Sequence, residues 1–134
     1  MMYLLDTNVL SALRRPDRAP QIADWLRTKA EDQLFISVVT IGEIERGIAL
    51  QEDRNPDFAN DLRGWLDRTS LLFADRLLAF GPEEARIWGR LSARIGHNGA
   101  DLQIAATALA HGAVVVTGNV SDFEPTGVEI ENPF

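Results

Sequence analysis

Apolar residues along this chain fall into short continuous runs separated by stretches with helical spacing. The opening "MMYLLD" (1–6) reads as a buried strand that stops on a carboxylate. Beyond it Val9, Leu10 and Leu13 share one face of a helix that ends before Pro16. Pro20 opens a second helix, "PQIADWLRTKAE", with Ile22, Trp25 and Leu26 on one side. "LFISVV" (34–39), β-branched and aromatic, predicts a second strand. Thr40 then caps the helix "IGEIERGIALQ", and Glu43 at its third position completes a capping box.

"EDRNPD" is a loop, and Phe58, Leu62, Trp65 and Leu66 mark another amphipathic helix, which extends toward Leu72. "RLLAF" is a weak strand stopped by Gly81-Pro82. "PEEARIWGRLSARIG" has acids in its first turn, arginines later and Gly96 near its end, the charge order that suits a helix dipole. After the break "HNG", the small-residue helix "ADLQIAATALAHG" ends at Gly112. "AVVVT" is apolar on both faces and belongs at a sheet centre, and "GVEIENP" is a short last strand. The alternation predicts one α/β domain over 1–134, a parallel sheet of about five short strands flanked by helices.

Ligands of such sheets bind beyond the carboxyl ends of the strands. Asp6 occupies that end of the first strand, Glu43 lies a helical turn after the second, and Asp122 follows "AVVVT". Asp101 comes to the same edge from the start of the small-residue helix. Each has an ordinary alternative: Asp6 as a helix cap, Glu43 as the partner of Thr40, Asp101 as a complement to a helix dipole, Asp122 as a turn residue. Their convergence on one edge makes a candidate pocket.

Charge sharpens that reading. The net charge is −7, Lys29 is the only lysine, and no basic residue follows Arg94, while Asp101, Asp122, Glu124, Glu129 and Glu131 all do. Clustered carboxylates raise one another's pKa unless a counter-charge arrives. Absence of cysteine removes disulfides and thiolate metal sites, and all-oxygen donors suit Mg²⁺ or Mn²⁺ better than Zn²⁺. His97 and His111 lack ligand spacing and read as surface or cap residues. No nucleophile elbow, phosphate-binding loop or dinucleotide fingerprint competes. Hydrolysis of a phosphodiester by metal-activated water is the sharpest chemical reading. A phosphotransfer enzyme using Asp6 as nucleophile is disfavoured, because Asn8 stands where a second acid is needed and no late lysine exists. A non-enzymatic alternative is a module whose acidic cleft binds a basic partner protein. With no leader and no apolar run long enough to span a bilayer, the expected location is cytoplasmic, with no membrane association.

The segments "YLLDTNVLSALRRP", "FISVVTIGEIERGI", "FGPEEARIWGRL", "ADLQIAATALAHGAVVVTGN" and "VSDFEPTGVEIENPF" resemble, in order and over essentially the whole chain, the PIN-domain family, and within it the VapC/FitB-type toxins of bacterial toxin–antitoxin pairs. The resemblance implies the PIN fold and a Mg²⁺- or Mn²⁺-dependent endoribonuclease restrained by a cognate antitoxin. It implies a homodimer that can join a larger toxin–antitoxin assembly. Asp6, Glu43, Asp101 and Asp122 match the family's acidic metal-binding positions. Thr7, Asn8, Thr117 and Asn119 match the polar positions that bond those carboxylates, their waters or a phosphate.

Three departures stand out: Gly118 where an arginine is common, Glu45 where a basic or neutral residue is common, and a shortened "HNGAD" without the usual proline. Arg14, Arg15 and Arg18 cluster after the first helix, while Arg86, Arg90 and Arg94 recur every four residues along another. They are candidate contacts for RNA or antitoxin. The competing reading of the second set is a solvated face paired with Glu83 and Glu84. Trp25, Trp65, Phe80 and Trp88 read as packing residues. The first two helices carry enough apolar surface for a dimer face, although periodicity does not separate such a face from a core.

Overall fold

A computed structural model describes all 134 residues. Five strands form one parallel sheet in the order β3-β2-β1-β4-β5: β1 (Tyr3–Leu5), β2 (Leu34–Ser37), β3 (Leu77–Leu78), β4 (Val114–Val116) and β5 (Ile130–Glu131). The central pair β1 and β4 is wholly apolar and buried, with Tyr3, Leu4 and Leu5 opposite Val114, Val115 and Val116. Seven helices cover the two faces: α1 (Thr7–Ala12), α2 (Pro20–Arg27), α3 (Val38–Gln51), α4 (Pro56–Leu72), α5 (Pro82–Ile95), α6 (Ala100–His111) and α7 (Val120–Phe123).

Strand alternation sorts the core into two layers. Tyr3, Leu5, Val114 and Val116 face α1–α4, where they meet Val9, Leu10, Ile22, Ile48 and Leu66. Leu4 and Val115 face α5–α7, where they meet Leu91, Ile104, Ala105, Ala108 and Phe123. The small side chains of α6 let that helix lie close against the sheet. Of the apolar residues along α1, its C-cap and α2, whose role periodicity left open, Val9, Leu10 and Ile22 belong to the protein's own core, while Leu13, Trp25 and Leu26 pack against it and stay partly exposed. Leu50, Leu71 and Leu72 are instead the large apolar residues left well exposed on α3 and α4. No helix is long and apolar enough to cross a membrane.

Local structure departs from expectation at two places that matter to the site. Val38 and Val39 belong to α3 and not to β2. Ser37 caps that helix, its hydroxyl accepting from the Val39 N–H at 3.0 Å, while Thr40 lies buried inside the first turn. The capping box expected of Thr40 and Glu43 is therefore absent. A serine whose strand pairing is already ending can cap three residues earlier than the threonine can. Glu43 is left in the second turn with its carboxylate free for other partners. Asp122, expected in a loop, sits in the short helix α7.

Elsewhere the helix signals hold. Glu84 Oε2 accepts from the Gly81 N–H at 3.2 Å to start α5. Gly96 ends that helix at φ +96°, a conformation that favours glycine. One core feature left no periodic trace in the sequence. Buried Arg76 donates to the carbonyls of Glu31 (2.7 Å), Leu34 (3.1 Å) and Leu72 (2.9 Å), tying the end of α4 to the entrance of β2.

Candidate active site

Asp6 leaves β1 in extended conformation and immediately precedes α1. Its Oδ1 accepts from the Thr7 N–H at 2.8 Å, and its Oδ2 accepts from the Thr117 hydroxyl at 2.7 Å. The first bond is the helix cap that the sequence offered as the ordinary reading. The second comes from the end of β4, a neighbouring strand, and fixes the carboxylate over the sheet edge. Asp6 is only 2% exposed. Thr117 is held in turn, since its hydroxyl accepts from the Asn119 N–H at 2.9 Å and its own N–H donates to the Glu131 carbonyl at 3.0 Å.

Glu43 arrives from α3. The Thr7 hydroxyl donates to its Oε1 at 2.7 Å and lies 3.3 Å from the Thr40 hydroxyl. Thr7 thus links the two acids, with its backbone on Asp6 and its side chain on Glu43. Thr40 joins this network unannounced; the available signal was a polar residue one turn before Glu43 on the same helix face. Asp101 occupies the first turn of α6, and Asp122 that of α7.

Electrostatics bind the four into one site. Burial pushes the Asp6 carboxyl above its ordinary pKa; the bonds from Thr117 and the Thr7 backbone oppose that rise, and the charges of Glu43 and Asp122 add to it. Burial likewise raises Asp101, the charges of Asp6 and Asp122 raise it further, and His97 works in the opposite direction. Asp6 therefore lies within reach of the charges of Glu43 and Asp122, and Asp101 within reach of those of Asp6 and Asp122. His97 is an exposed turn residue whose Nδ1 accepts from the Gly99 N–H at 3.2 Å, consistent with the cap reading.

Donor chemistry here suits a hard cation. All the polar side chains supply oxygens, two acids are held by hydroxyls, and the Asn8 Oδ1 is buried without a hydrogen-bond partner. No three carboxylates or histidines converge tightly enough to enclose an ion. Mg²⁺ is commonly held by one or two carboxylates and keeps water in its remaining positions, so it does not require a closed protein cage.

The arginines divide. Arg14 lies over the Phe58 ring at 5.3 Å and lines a groove of about 340 Å³ together with Thr7, Glu43, Leu62 and Trp65, so one cation does border the site. Arg15 is exposed. Arg86, Arg90 and Arg94 are exposed along α5, and none pairs with Glu83 or Glu84. Glu84 instead bonds Gly81 and stands 3.7 Å from His111, while Arg94 donates to the Pro125 carbonyl at 3.3 Å. The stripe is solvated, as one reading had it, but not ion-paired. Glu45 is exposed and bonds nothing.

Comparison with known proteins places the fold. The PIN domain model matches residues 3–124. The chain is 36% identical to VapC ribonuclease Y4jK of Sinorhizobium fredii, covering 99% of this chain and 98% of the relative. It is 33% identical to Toxin FitB of Neisseria gonorrhoeae over 99% of both. The crystal structure of FitAcB from Neisseria gonorrhoeae superposes with a TM-score of 0.84, at 33% identity over 98% of each chain. The fold thus has full-length counterparts, and the chain belongs to the PIN-domain family, in its VapC/FitB-type group.

Proposed function

We propose that this protein is the toxin of a toxin–antitoxin pair, an endoribonuclease that depends on Mg²⁺ or Mn²⁺. The observation that carries the reading is the carboxylate of Asp6, bonded by Thr117 and Thr7 and raised in pKa first by burial and then by the charges of Glu43 and Asp122. A purely structural aspartate at a helix start gains nothing from three further acids at its edge. The names of the full-length relatives, a ribonuclease and a toxin, support the same reading.

One or two of Asp6, Glu43, Asp101 and Asp122 would bind the cation directly, and the others would act through its waters. Once bound, that ion supplies charge to offset the carboxylates and the phosphate and lowers the pKa of an attacking water. The protein's own groups do the rest. Thr117 and the Thr7 backbone hold Asp6 in one rotamer, and the Thr7 hydroxyl does the same for Glu43. Such supporting bonds keep acceptor oxygens aimed when the anions would otherwise repel. Hydrolysis replaces one P–O ester bond with a P–O bond from water, and the departing ribose oxygen takes a proton. Arg14, Arg15, Arg86, Arg90 and Arg94 are the cations available to the RNA backbone or to the antitoxin. The reading also carries a homodimer, association with a cognate antitoxin and a cytoplasmic location.

The deciding experiment incubates purified protein with a mixed structured RNA in Mn²⁺, in Mg²⁺ and in EDTA, beside the Asp6→Asn variant. Cutting that requires metal and disappears in the variant is expected. Absence of cutting, with no shift in melting on metal addition, would instead favour a partner-binding module with an acidic cleft.

A further inference from the structure

Gly118 and Phe134 explain each other. A Cβ placed on Gly118 would stand 2.8 Å from Phe134 Cδ2, 3.0 Å from Cε2 and 3.4 Å from Cγ. Contacts under about 3.0 Å are not sustained, so the ring rests directly on the glycine backbone and fills the space that any side chain at position 118 would need. The segment after β5 turns back to make this contact, with the Phe134 N–H donating to Asn132 Oδ1 at 2.9 Å. Despite that seat Phe134 as a residue is 52% exposed, so it is not buried in the core.

Its position gives the exposure meaning. Gly118 lies between Thr117, whose hydroxyl holds Asp6, and Asn119, whose N–H holds that hydroxyl. Adjacent Cα atoms are about 3.8 Å apart, so the ring is anchored one residue from the group that orients the central carboxylate. A half-exposed phenylalanine fixed beside acids gains little from packing. Unpaired nucleic-acid bases, by contrast, are recognised chiefly by stacking on aromatic side chains.

We infer that Phe134 is a stacking platform for an unpaired base next to the phosphate bound at the acidic site, and that glycine is required at 118 to seat it. The inference rests on the proposed ribonuclease reading. The acids hold the phosphate through the cation, and the ring fixes the neighbouring base regardless of its identity. Single-stranded RNA is the substrate class this arrangement selects, because a base paired in a duplex has no free face to offer.

The test uses two readouts on the full chain. In the first, the wild-type protein with Ca²⁺ in place of Mg²⁺, a hard cation that takes the same oxygen donors without the octahedral geometry of Mg²⁺, is mixed with a short single-stranded RNA carrying one 2-aminopurine, moved position by position. Fluorescence should be quenched at one position, and Phe134→Leu, which keeps an apolar contact with Gly118, should abolish the quench. In the second, cleavage by otherwise wild-type protein is followed. Phe134→Leu should raise KM by about 5- to 100-fold, the range expected for loss of one stacked base, and Phe134→Trp should restore it. The KM penalty should vanish on an RNA that is abasic at the quenched position. RNA binding without quench, or a penalty unchanged on every abasic substrate, overturns the proposal, as does absence of RNA binding. Quench without cleavage by the wild-type protein removes the ribonuclease reading and leaves the stacking assignment standing.

Discussion

Thr117 contributes one hydroxyl, yet two functions pass through it. It neutralises an otherwise unsatisfied oxygen on a nearly buried carboxylate, and it anchors the Asn119 N–H. Replacing it with valine keeps the shape and removes both bonds. The folded protein should lose about 1–3 kcal/mol, the cost of stranding a buried polar partner. Cleavage should fall by about 10- to 100-fold, the usual effect of losing a group that orients a metal ligand. Denaturant midpoints and initial rates check the two halves separately; a variant as active as wild type would remove Thr117 from the site.

Asp6 itself carries a pH signature. Burial and neighbouring acids keep Asp6 and Asp101 protonated to a higher pH in the folded state than a free aspartate, whose midpoint is about 3.9. Across that window the folded state holds protons the unfolded state has released, so metal-free stability falls as pH rises. Asp6→Asn deletes its share of the slope, and its stability should decline less steeply from pH about 4 upward. Parallel slopes in urea titrations would contradict the placement of Asp6. Such residues were legible in sequence because they stand at the ends of predictable elements. The Thr7–Glu43 bond and the unpartnered Asn8 oxygen were not, since they arise only when residues far apart in the chain meet.

At the scale of elements, the start of α3 decides where Glu43 points. Sequence rules favoured Thr40 as its cap because a glutamate follows three residues later, a strong local pattern. Ser37 wins because β2 pairs with β3 only as far as Ser37 opposite Leu78, which frees the next backbone groups for helix. Ser37→Ala should therefore cost about 1 kcal/mol of stability. Thr40→Ala should act mainly on cleavage, since its hydroxyl meets Thr7 and not the helix start. Chemical denaturation of both variants beside RNA-cleavage rates separates the roles, and a reversed pattern would restore Thr40 as the cap. The strands and long helices needed no such correction, because their apolar periods are fixed by burial on one or two faces.

For the whole molecule, the parallel topology gathers the acids, and with no lysine or arginine after Arg94 only Arg14 and His97 stand near enough to offset their charge. Parallel pairing could be read from the alternation of elements; the order β3-β2-β1-β4-β5 could not, because short apolar strands do not encode their neighbours. That order is what sets β1 beside β4 and brings Thr117 onto Asp6. Folding thus works against like-charge repulsion at this edge, and a divalent cation binding only the folded state should relieve it. Mass action gives about 2.7 kcal/mol at a hundredfold excess over Kd, on the order of 10 °C in Tm for a domain of this size. Wild-type protein should show that rise with Mg²⁺ or Mn²⁺ at constant ionic strength, and Asp6→Asn should lose most of it. An equal rise produced by a monovalent salt, or retained in full by Asp6→Asn, would mean that the ion screens the surface instead of occupying the site between these carboxylates.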